Sequence, residues 1–544
     1  MRTDFVRIYK SVHTWTGILT GMALFIAFYA GALTVFKEPL ARWVAPPKQV
    51  ESVPLAQAQQ LMLGALAVNP AAARDFTIHL DDAEHIAGRM DWQVRDPAAD
   101  EHDETAVRHY AATLDAAGNA VVVETHPSPL AGFIDTLHRV VGLPVDNDPN
   151  RWIMGIVAAL YALALVSGVV VLLPSLVKDF FALRVGKNLK RMWLDAHNVI
   201  GIVSLPFHLV MALTSVAFAF HDEIYVIQDK LVHEGKWAAA FQRPKPAPGA
   251  SAVHEPAAML PPEVLLARAG EFAPGFVPSM LQYQQVTGVR PTLRIWGKDA
   301  AAVSPRARGG FLALDPFSGK VINSDFLPGR QSTPNLFVSS FFALHMAAFG
   351  GTLVQWMYFL LGLAGAWLFY SGNLLWVESR RRKAARQSDD VPVQRQDARW
   401  LAAATVGVCL GCMGGISLTI VGGKWLYGHV DNLGAWHVGL YYAAFFASIA
   451  WAFRRGCAAA AVHLLWAAAL FTLAIPLTTL LAWRFPSLGM WAHTSAESLG
   501  VDATALVGAL VFAWMARATS HRIRHGVADS VWSIEGRAGS ATPA

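Results

Sequence analysis

The sequence predicts a membrane protein, a helical bundle of about eight spans that carries two α+β domains on one side of the bilayer. Three observations predict this fold. Of the 544 residues, 54% are hydrophobic and only 15% are charged, against roughly 25% charged residues in soluble domains. Eight windows are apolar over about 20 residues, the length that crosses a bilayer. Two long polar segments, 37–151 and 222–335, interrupt the apolar windows of the first half. This pattern excludes a disordered chain and an ordinary soluble enzyme.

The apolar windows fall into a first group of four, which brackets the polar segments, and a second group of four near the end. In chain order they are 14–36, 152–173, 196–220, 352–377, 400–423, 433–453, 457–483 and 503–519. With their flanks, the first four define the predicted segments 1–36, 152–177, 190–221 and 336–378, and the last four define 400–519. The first window has a basic start but no small-residue cleavage pattern after it, so we expect it to be retained.

Lysine and arginine are concentrated in alternate connections between the windows, which predicts the orientation in the membrane. Basic clusters precede the first span, separate the second from the third, follow the fourth, separate the sixth from the seventh and follow the eighth. With eight spans, all of these clusters lie on one side. Both termini, including the tail 520–544, are therefore predicted to be cytoplasmic, and segments 37–151 and 222–335 to be periplasmic. The net charge is +5, but the basic residues lie in short clusters between apolar spans. Such clusters indicate membrane orientation, so we expect no nucleic-acid partner.

The two polar segments contain short alternating runs separated by turns. Residues 111–121 and 311–321 each read as strand, turn and strand, with Asp115 and Asp315 capping the turns. The stretch 241–262 is rich in proline and alanine and is predicted to be a connector. All three cysteines lie outside these segments, so no disulfide framework is expected in them.

The first half of the chain repeats itself. The first and third spans each carry a histidine four residues before a glycine, whereas the second and fourth are each preceded by Leu-His and contain Ser-Gly. The matching positions are His13 and His197, His138 and His345, Ser167-Gly168 and Ser371-Gly372. Residues 1–180 and 190–378 are therefore predicted to be parallel repeats, related by a pseudo-twofold axis along the membrane normal.

Five of the 19 histidines belong to the membrane zone of the repeated unit: His13, His138, His197, His208 and His345. By symmetry, His13 pairs with His197 at the cytoplasmic end and His138 pairs with His345 at the outer end. Two such pairs facing a shared axis suit two stacked haems, each iron taking two axial imidazoles. Covalent attachment is excluded because no Cys-x-x-Cys-His occurs, so the predicted cofactor is non-covalent haem b.

His208 competes for the outer iron. It lies eleven residues after His197, about three turns and roughly 16.5 Å along the same face of an uninterrupted helix. Pro206 would loosen that helix. The five histidines therefore offer two different sets of four ligands, one based on symmetry and one based on helical spacing.

Simpler interpretations stand beside the haem hypothesis. Each histidine could be an interfacial or hydrogen-bonded side chain. Zinc is a weaker alternative, because structural zinc sites favour closely spaced ligands and often cysteine. The pair Cys409 and Cys412 lies inside the fifth span, where helix packing is favoured over a redox role. The spans are rich in glycine, which either allows close helix contact or makes room for a porphyrin.

The motifs resemble those of the PepSY-associated transmembrane family of bacterial inner-membrane proteins. The matching stretches are 10–17, 137–138, 193–197 and 344–351, and the resemblance covers about 1–378. It implies four core spans, PepSY-like folds for periplasmic domains 37–151 and 222–335, and b-type haem. It also implies a role in iron uptake, with some members acting as reductases that release iron from ferric siderophores. Relatives with a fused flavin and nicotinamide domain differ from this chain, which carries no Gly-rich dinucleotide fingerprint in a strand-turn-helix context.

These observations predict a multi-pass inner-membrane oxidoreductase that passes electrons through two b haems to a periplasmic ferric chelate. The donor would be a cytoplasmic reductant or a quinol. Two rival functions remain: a haem-free periplasmic sensor or regulator, and a transporter. Repeated bundles are common among transporters, but the core spans carry no carboxylate, lysine or arginine in their apolar interior.

Overall fold

The computed structural model describes residues 3–48, 50–95, 107–177, 189–232, 254–306, 309–385, 394–525 and 531. Most of the predicted connector 241–262 and of the tail 520–544 lies outside the described residues, as does much of the basic connection between the second and third spans. The chain forms two compact units. We call residues 1–44, 128–219 and 357–544 the membrane unit, and residues 45–127 and 220–356 the sheet unit.

The helices are long in the membrane unit and short in the sheet unit. They are α1 Thr3–Thr34, α2 Lys37–Val44, α3 Ala58–Val68, α4 Leu130–Arg139, α5 Asp148–Leu172, α6 Leu189–Val203, α7 Leu205–Ala219, α8 His221–Val232, α9 Pro262–Phe272, α10 Thr333–His345, α11 Gly351–Ala385, α12 Gln396–Trp425, α13 Leu433–Arg455, α14 Cys457–Arg484 and α15 Ala496–His525. The strands are β1 Asp75–His79, β2 Met90–Arg95, β3 Val107–Leu114, β4 Ala120–Thr125, β5 Val277–Gln284, β6 Thr292–Lys298, β7 Gly310–Leu314 and β8 Val321–Asn323.

Seven helices of the described chain are long and apolar enough to cross a membrane, and a bent pair of helices raises the number to eight if it counts as one span. The seven are α1, α5, α11, α12, α13, α14 and α15. The sequence-based expectation of a helical membrane bundle is therefore confirmed.

The third predicted span is not one straight helix. Helices α6 and α7 meet at Ser204 with a bend of 68°. Pro206 lies in the first turn of α7, where proline is tolerated because its missing N–H has no intrahelical acceptor. The uninterrupted helical path of roughly 16.5 Å expected between His197 and His208 therefore does not exist in the structure, because the two histidines lie on different helices.

Glycines on one face of α12 bring it close to α13. A methyl group added at Gly407 would lie 2.7 Å from Ile449 Cα, and one added at Gly411 would lie 2.9 Å from Ser448 Cβ. Small residues at four-residue spacing let two helix backbones approach in this way. Cys409 and Cys412, on the same helix, are free thiols and fully buried, as expected for packing residues.

A buried lysine of α12 packs against α2, the short helix that follows the first span. Lys424 of α12 is 1% exposed, and its Nζ lies 3.8 Å from the ring centre of Trp43 on α2. Trp43 Nε1 donates to Asp502 Oδ1 at 2.9 Å, and Asp502 interacts electrostatically with Lys424. A desolvated cation over an indole face is worth about 2 kcal/mol, so α2 is fixed against α12 and α15.

All eight strands of the sheet unit form one antiparallel sheet in the order β4-β3-β2-β1-β5-β6-β7-β8. The strands of segments 37–151 and 222–335 meet at the β1–β5 pair, where Phe76 lies opposite Tyr283 and the two rings stack at 4.7 Å. Both rings are buried, and burial raises the pKa of the Tyr283 hydroxyl. The strands of the two predicted domains therefore form one sheet: each segment contributes one edge strand, β1 or β5, and pairing the two edges satisfies their backbone groups.

Both predicted hairpins are confirmed. Strands β3 and β4 flank a turn in which Asp115 Oδ1 accepts hydrogen bonds from the N–H groups of Ala117 and Asn119. In the turn between β7 and β8, Asp315 Oδ1 accepts from Phe317 N–H at 2.8 Å. The backbone N–H donors hold the pKa of the Asp115 carboxyl below its usual range. These contacts explain why aspartate begins each turn.

Candidate functional site

His13 reaches from α1 to α5. Its Nδ1 lies 2.8 Å from the carbonyl oxygen of Ala164, and a carbonyl can only accept, so Nδ1 carries the proton. The ring lies against Gly168, where an added methyl group would come within 2.9 Å of His13 Cε1. Gly168 therefore provides the space that the imidazole occupies.

His197 makes the equivalent contact between α6 and α11. Its Nδ1 lies 2.9 Å from Ser371 Oγ, and Ser371 donates its own proton to the carbonyl of Leu368. The serine oxygen therefore accepts from His197 Nδ1–H. A methyl group added at Gly372 would lie 3.8 Å from His197 Cε1. The Ser-Gly dipeptides that mark the repeat in the sequence thus contact the first histidine of each half.

His138 lies near the end of α4 and reaches α1. Its Nδ1 donates to the carbonyl of Ala27 at 2.8 Å. The ring packs on Gly31, where an added methyl group would lie only 2.7 Å from His138 Nδ1. α4 itself is held by its apolar face, which buries Leu130, Ile134 and Leu137, and this fixes the direction in which His138 points.

His208 of α7 is the most buried of the five, with 3% of its surface exposed. Its Nδ1 lies 2.6 Å from the hydroxyl of Tyr161 on α5, and this hydroxyl donates to the His208 carbonyl. The ring is surrounded by aromatic side chains and lies against Gly365. Its Nε2 is buried without a hydrogen-bond partner among the described residues.

Four of the five candidate histidines, His13, His138, His197 and His208, share one arrangement. Each engages Nδ1 with an oxygen. For His13 and His138 that oxygen is a carbonyl, which only accepts, so the lone pair of the neutral ring is on Nε2. A hydroxyl that accepts from Nδ1 gives the same tautomer at His197 and His208. Binding through Nδ1 fixes both the tautomer and the ring orientation, which is how histidine ligands of metals are usually held. His197 lies near both His13 and His208.

The four histidines contact helices α1, α5 and α11 at two levels. His13 and His197 contact Gly168 and the pair Ser371-Gly372, respectively. His138 and His208 contact these helices at positions further along their length. His138 is at Ala27 and Gly31 of α1. His208 is at Phe28 of α1, Tyr161 of α5 and Gly365 of α11.

This donor set suits b-type haem. Imidazole Nε2 is a common axial ligand of haem iron. A buried polar atom without a partner costs about 1–3 kcal/mol, and the Nε2 of His208 is such an atom. The described residues contain no group of three or more His, Cys, Asp or Glu side chains that could hold a metal ion.

His345 is placed differently from the other four. It is the last residue of α10 and belongs to the sheet unit, whereas its predicted symmetry partner His138 belongs to the membrane unit. The structure therefore groups His13, His138, His197 and His208 in one unit and leaves His345 in the other.

Several partners of these histidines were not identified from the sequence. Tyr161 and the carbonyls of Ala27 and Ala164 come from distant positions in the chain, and a carbonyl has no sequence signature. Gly31 and Gly365 were visible as span glycines, but their roles depend on which histidine they face. The Ser-Gly pairs were the one usable indication, because they recur with the histidines.

Comparison with known proteins matches most of the chain to one family. The family model described as the PepSY-associated TM region matches residues 10–379. A search among curated proteins finds no match to the chain.

Proposed function

Because the chain belongs to the PepSY-associated transmembrane family, we propose that it is a di-haem b oxidoreductase of the bacterial inner membrane that reduces a periplasmic ferric chelate. The observation that supports this most is that the Nδ1 atoms of His13, His138, His197 and His208 each contact an oxygen. An imidazole whose Nδ1 is anchored in this way presents Nε2 in a fixed direction, which is what an axial ligand of haem iron requires.

His13 and His197 would hold the haem nearer the basic clusters, and His138 and His208 would hold the other. His208 is proposed in place of His345 because its Nε2 is buried without a partner in the described chain and because it shares a unit with His138. Bound haem would supply reversible one-electron chemistry at its iron.

The residues around the histidines would set the properties of each site. The Ala164 and Ala27 carbonyls and the Ser371 hydroxyl keep Nδ1 protonated and make Nε2 a better donor. The aromatic side chains around His208 exclude water, and a low-polarity surrounding shifts the reduction potential of a haem. The two halves 1–180 and 190–378 are proposed to be repeats, supported by the matching contacts of His13 and His197.

The basic clusters support an orientation with both termini in the cytoplasm and the sheet unit in the periplasm. A ferric siderophore or similar ferric chelate would accept an electron at that face by outer-sphere transfer, which needs docking but no tight ligation. The donor is proposed to be a cytoplasmic reductant or a quinol. Release of iron as Fe²⁺ then follows from the weaker hold of the chelate on the reduced ion.

Electron transfer across the bilayer tests this function directly. Proteoliposomes that enclose dithionite, with a ferric hydroxamate chelate and the ferrous indicator ferrozine outside, are expected to produce external Fe²⁺ at a rate proportional to the protein. Protein-free liposomes and the His13→Ala variant serve as controls. Fe²⁺ formation no faster than in protein-free liposomes would contradict the proposal.

A further inference from the structure

A basic pocket lies between α1 and α11, at the end of both helices that carries the basic clusters. Its volume is about 290 Å³. The lining consists of three cationic side chains, two tryptophans and two hydroxyl side chains: Arg7, Lys10, Arg380, Trp15, Trp376, Ser11 and Thr14. The lining includes no carboxylate.

Helical spacing places the residues that line this pocket on one face of each helix. Arg7, Ser11 and Thr14 are separated by four and three residues, so they lie on one face of α1. Trp376 and Arg380 are four apart on α11 and therefore also share a face. The cations thus come from two helices and converge on one space.

Among the residues that the structure describes, Arg7 is the pocket cation that pairs with a carboxylate. Arg7 pairs with Asp4 at 3.5 Å, but both side chains are highly exposed, and an exposed pair contributes little. The Arg380 guanidinium lies over the Trp376 ring at 3.9 Å, and its Nε is buried without a hydrogen-bond partner in the described part of the chain. A buried guanidinium N–H is stabilised by a hydrogen bond to an anionic acceptor.

We propose that this pocket binds a phosphate ester. Arginine presents N–H groups in the geometry that phosphate oxygens accept, and Lys10 adds a second charge. The exposed indole of Trp15 gives a flat apolar wall for the group that carries the phosphate. Two sources offer this chemistry: a soluble nucleotide such as flavin mononucleotide, and the headgroup of an anionic lipid.

The pocket adjoins the candidate cofactor site. His13 lies between Lys10 and Thr14 on α1. If the proposed function holds, a soluble nucleotide bound here would be next to the haem held by His13 and His197, where a cytoplasmic donor must approach. Phosphate binding itself does not require haem, so the two proposals can fail separately.

The test is equilibrium dialysis of the purified full-length protein with flavin mononucleotide, and with riboflavin, which lacks the phosphate. If the source is a soluble nucleotide, riboflavin is expected to bind at least about tenfold more weakly. Arg380→Gln and Lys10→Gln should each weaken mononucleotide binding about tenfold, the effect of losing one charged hydrogen bond. Arg517→Gln is the matched control, because Arg517 also lies over a tryptophan, Trp466, at 5.9 Å but outside the pocket.

The lipid source is tested in nanodiscs that contain phosphatidylcholine and phosphatidylglycerol. If the occupant is a lipid headgroup, native mass spectrometry should show phosphatidylglycerol retained by the wild type and by Arg517→Gln but lost from Arg380→Gln and Lys10→Gln. Lys10 is an exposed side chain, so its variant keeps the fold intact. Binding of both ligands that is unchanged by Arg380→Gln and Lys10→Gln would overturn the proposal.

Discussion

At the scale of single residues, the account depends on which nitrogen of each histidine is available. A ring that donates through Nδ1 to a carbonyl, as His13 does to Ala164, can bind a metal only through Nε2. The sequence identified the five candidate histidines because they recur with Ser-Gly and Leu-His. The repeat favoured His345 over His208 for the outer iron. Tyr161 and the bend at Ser204, on which the choice made from the structure depends, are long-range features that the sequence does not reveal.

Alanine variants of the histidines test the ligand assignment. His13→Ala and His197→Ala should each remove or convert to high spin one haem, because the loss of one imidazole opens an axial position. His138→Ala and His208→Ala should do the same to the other haem, and His345→Ala should keep both haems low-spin. The measurement is haem content and the visible spectrum of each purified variant.

His463→Ala is the control for these variants. His463 accepts a hydrogen bond from Trp451 on a neighbouring helix and has no predicted ligand role. If His345→Ala loses a haem and His208→Ala keeps both, the symmetric set of ligands is correct and the assignment made from the structure is wrong.

At the scale of helices, glycine positions determine where the imidazoles can lie. The sequence placed the spans because apolarity over about 20 residues is a local property. It could not assign roles to Gly31 and Gly168, because a glycine that contacts a helix and one that faces a side chain look alike in sequence. The break between α6 and α7 was only partly predictable: Pro206 indicated a weak point, but not the size of the bend, which is 68°.

Valine in place of Gly168 is expected to disturb one site selectively. An added Cβ would lie 2.9 Å from His13 Cε1, which forces the ring to move and weakens its bond to iron. We expect Gly168→Val to lower the content or change the spin state of one haem out of two.

Gly17→Val is the matched control, because nothing lies within 4 Å of its added Cβ and the cost of valine in a span is the same. Equal haem spectra for Gly168→Val and the wild type would show that the contact between Gly168 and His13 does not position the ligand.

At the scale of the whole molecule, the sequence predicted the helical membrane bundle and the two hairpins but not the single sheet. Each hairpin is encoded locally by its Asp and Gly residues, whereas the β1–β5 pair joins positions about 200 residues apart and depends on the complete fold. The packing of α12 and α15 around Trp43 was also not predictable, since Lys424 and Asp502 are single charges at the ends of apolar windows.

Reporter fusions test the proposed orientation of the chain. Fusions after Leu176 and after Arg386 should report the cytoplasm, and fusions near Pro97 and Pro248 should report the periplasm, because lysine and arginine are retained on the cytoplasmic side. Alkaline phosphatase and a fluorescent protein give opposite readouts at each position. Phosphatase activity at Arg386 would require a different number of spans before that residue.

The measurement that tests the central claim most directly is the haem content of the purified protein. After expression with ample haem supply, a pyridine haemochrome assay should give about two haems b per chain, extractable with acidified solvent because no covalent attachment motif is present. The reduced spectrum should be that of low-spin, bis-imidazole iron. Folded protein without a Soret band would contradict the account and favour a haem-free regulatory function.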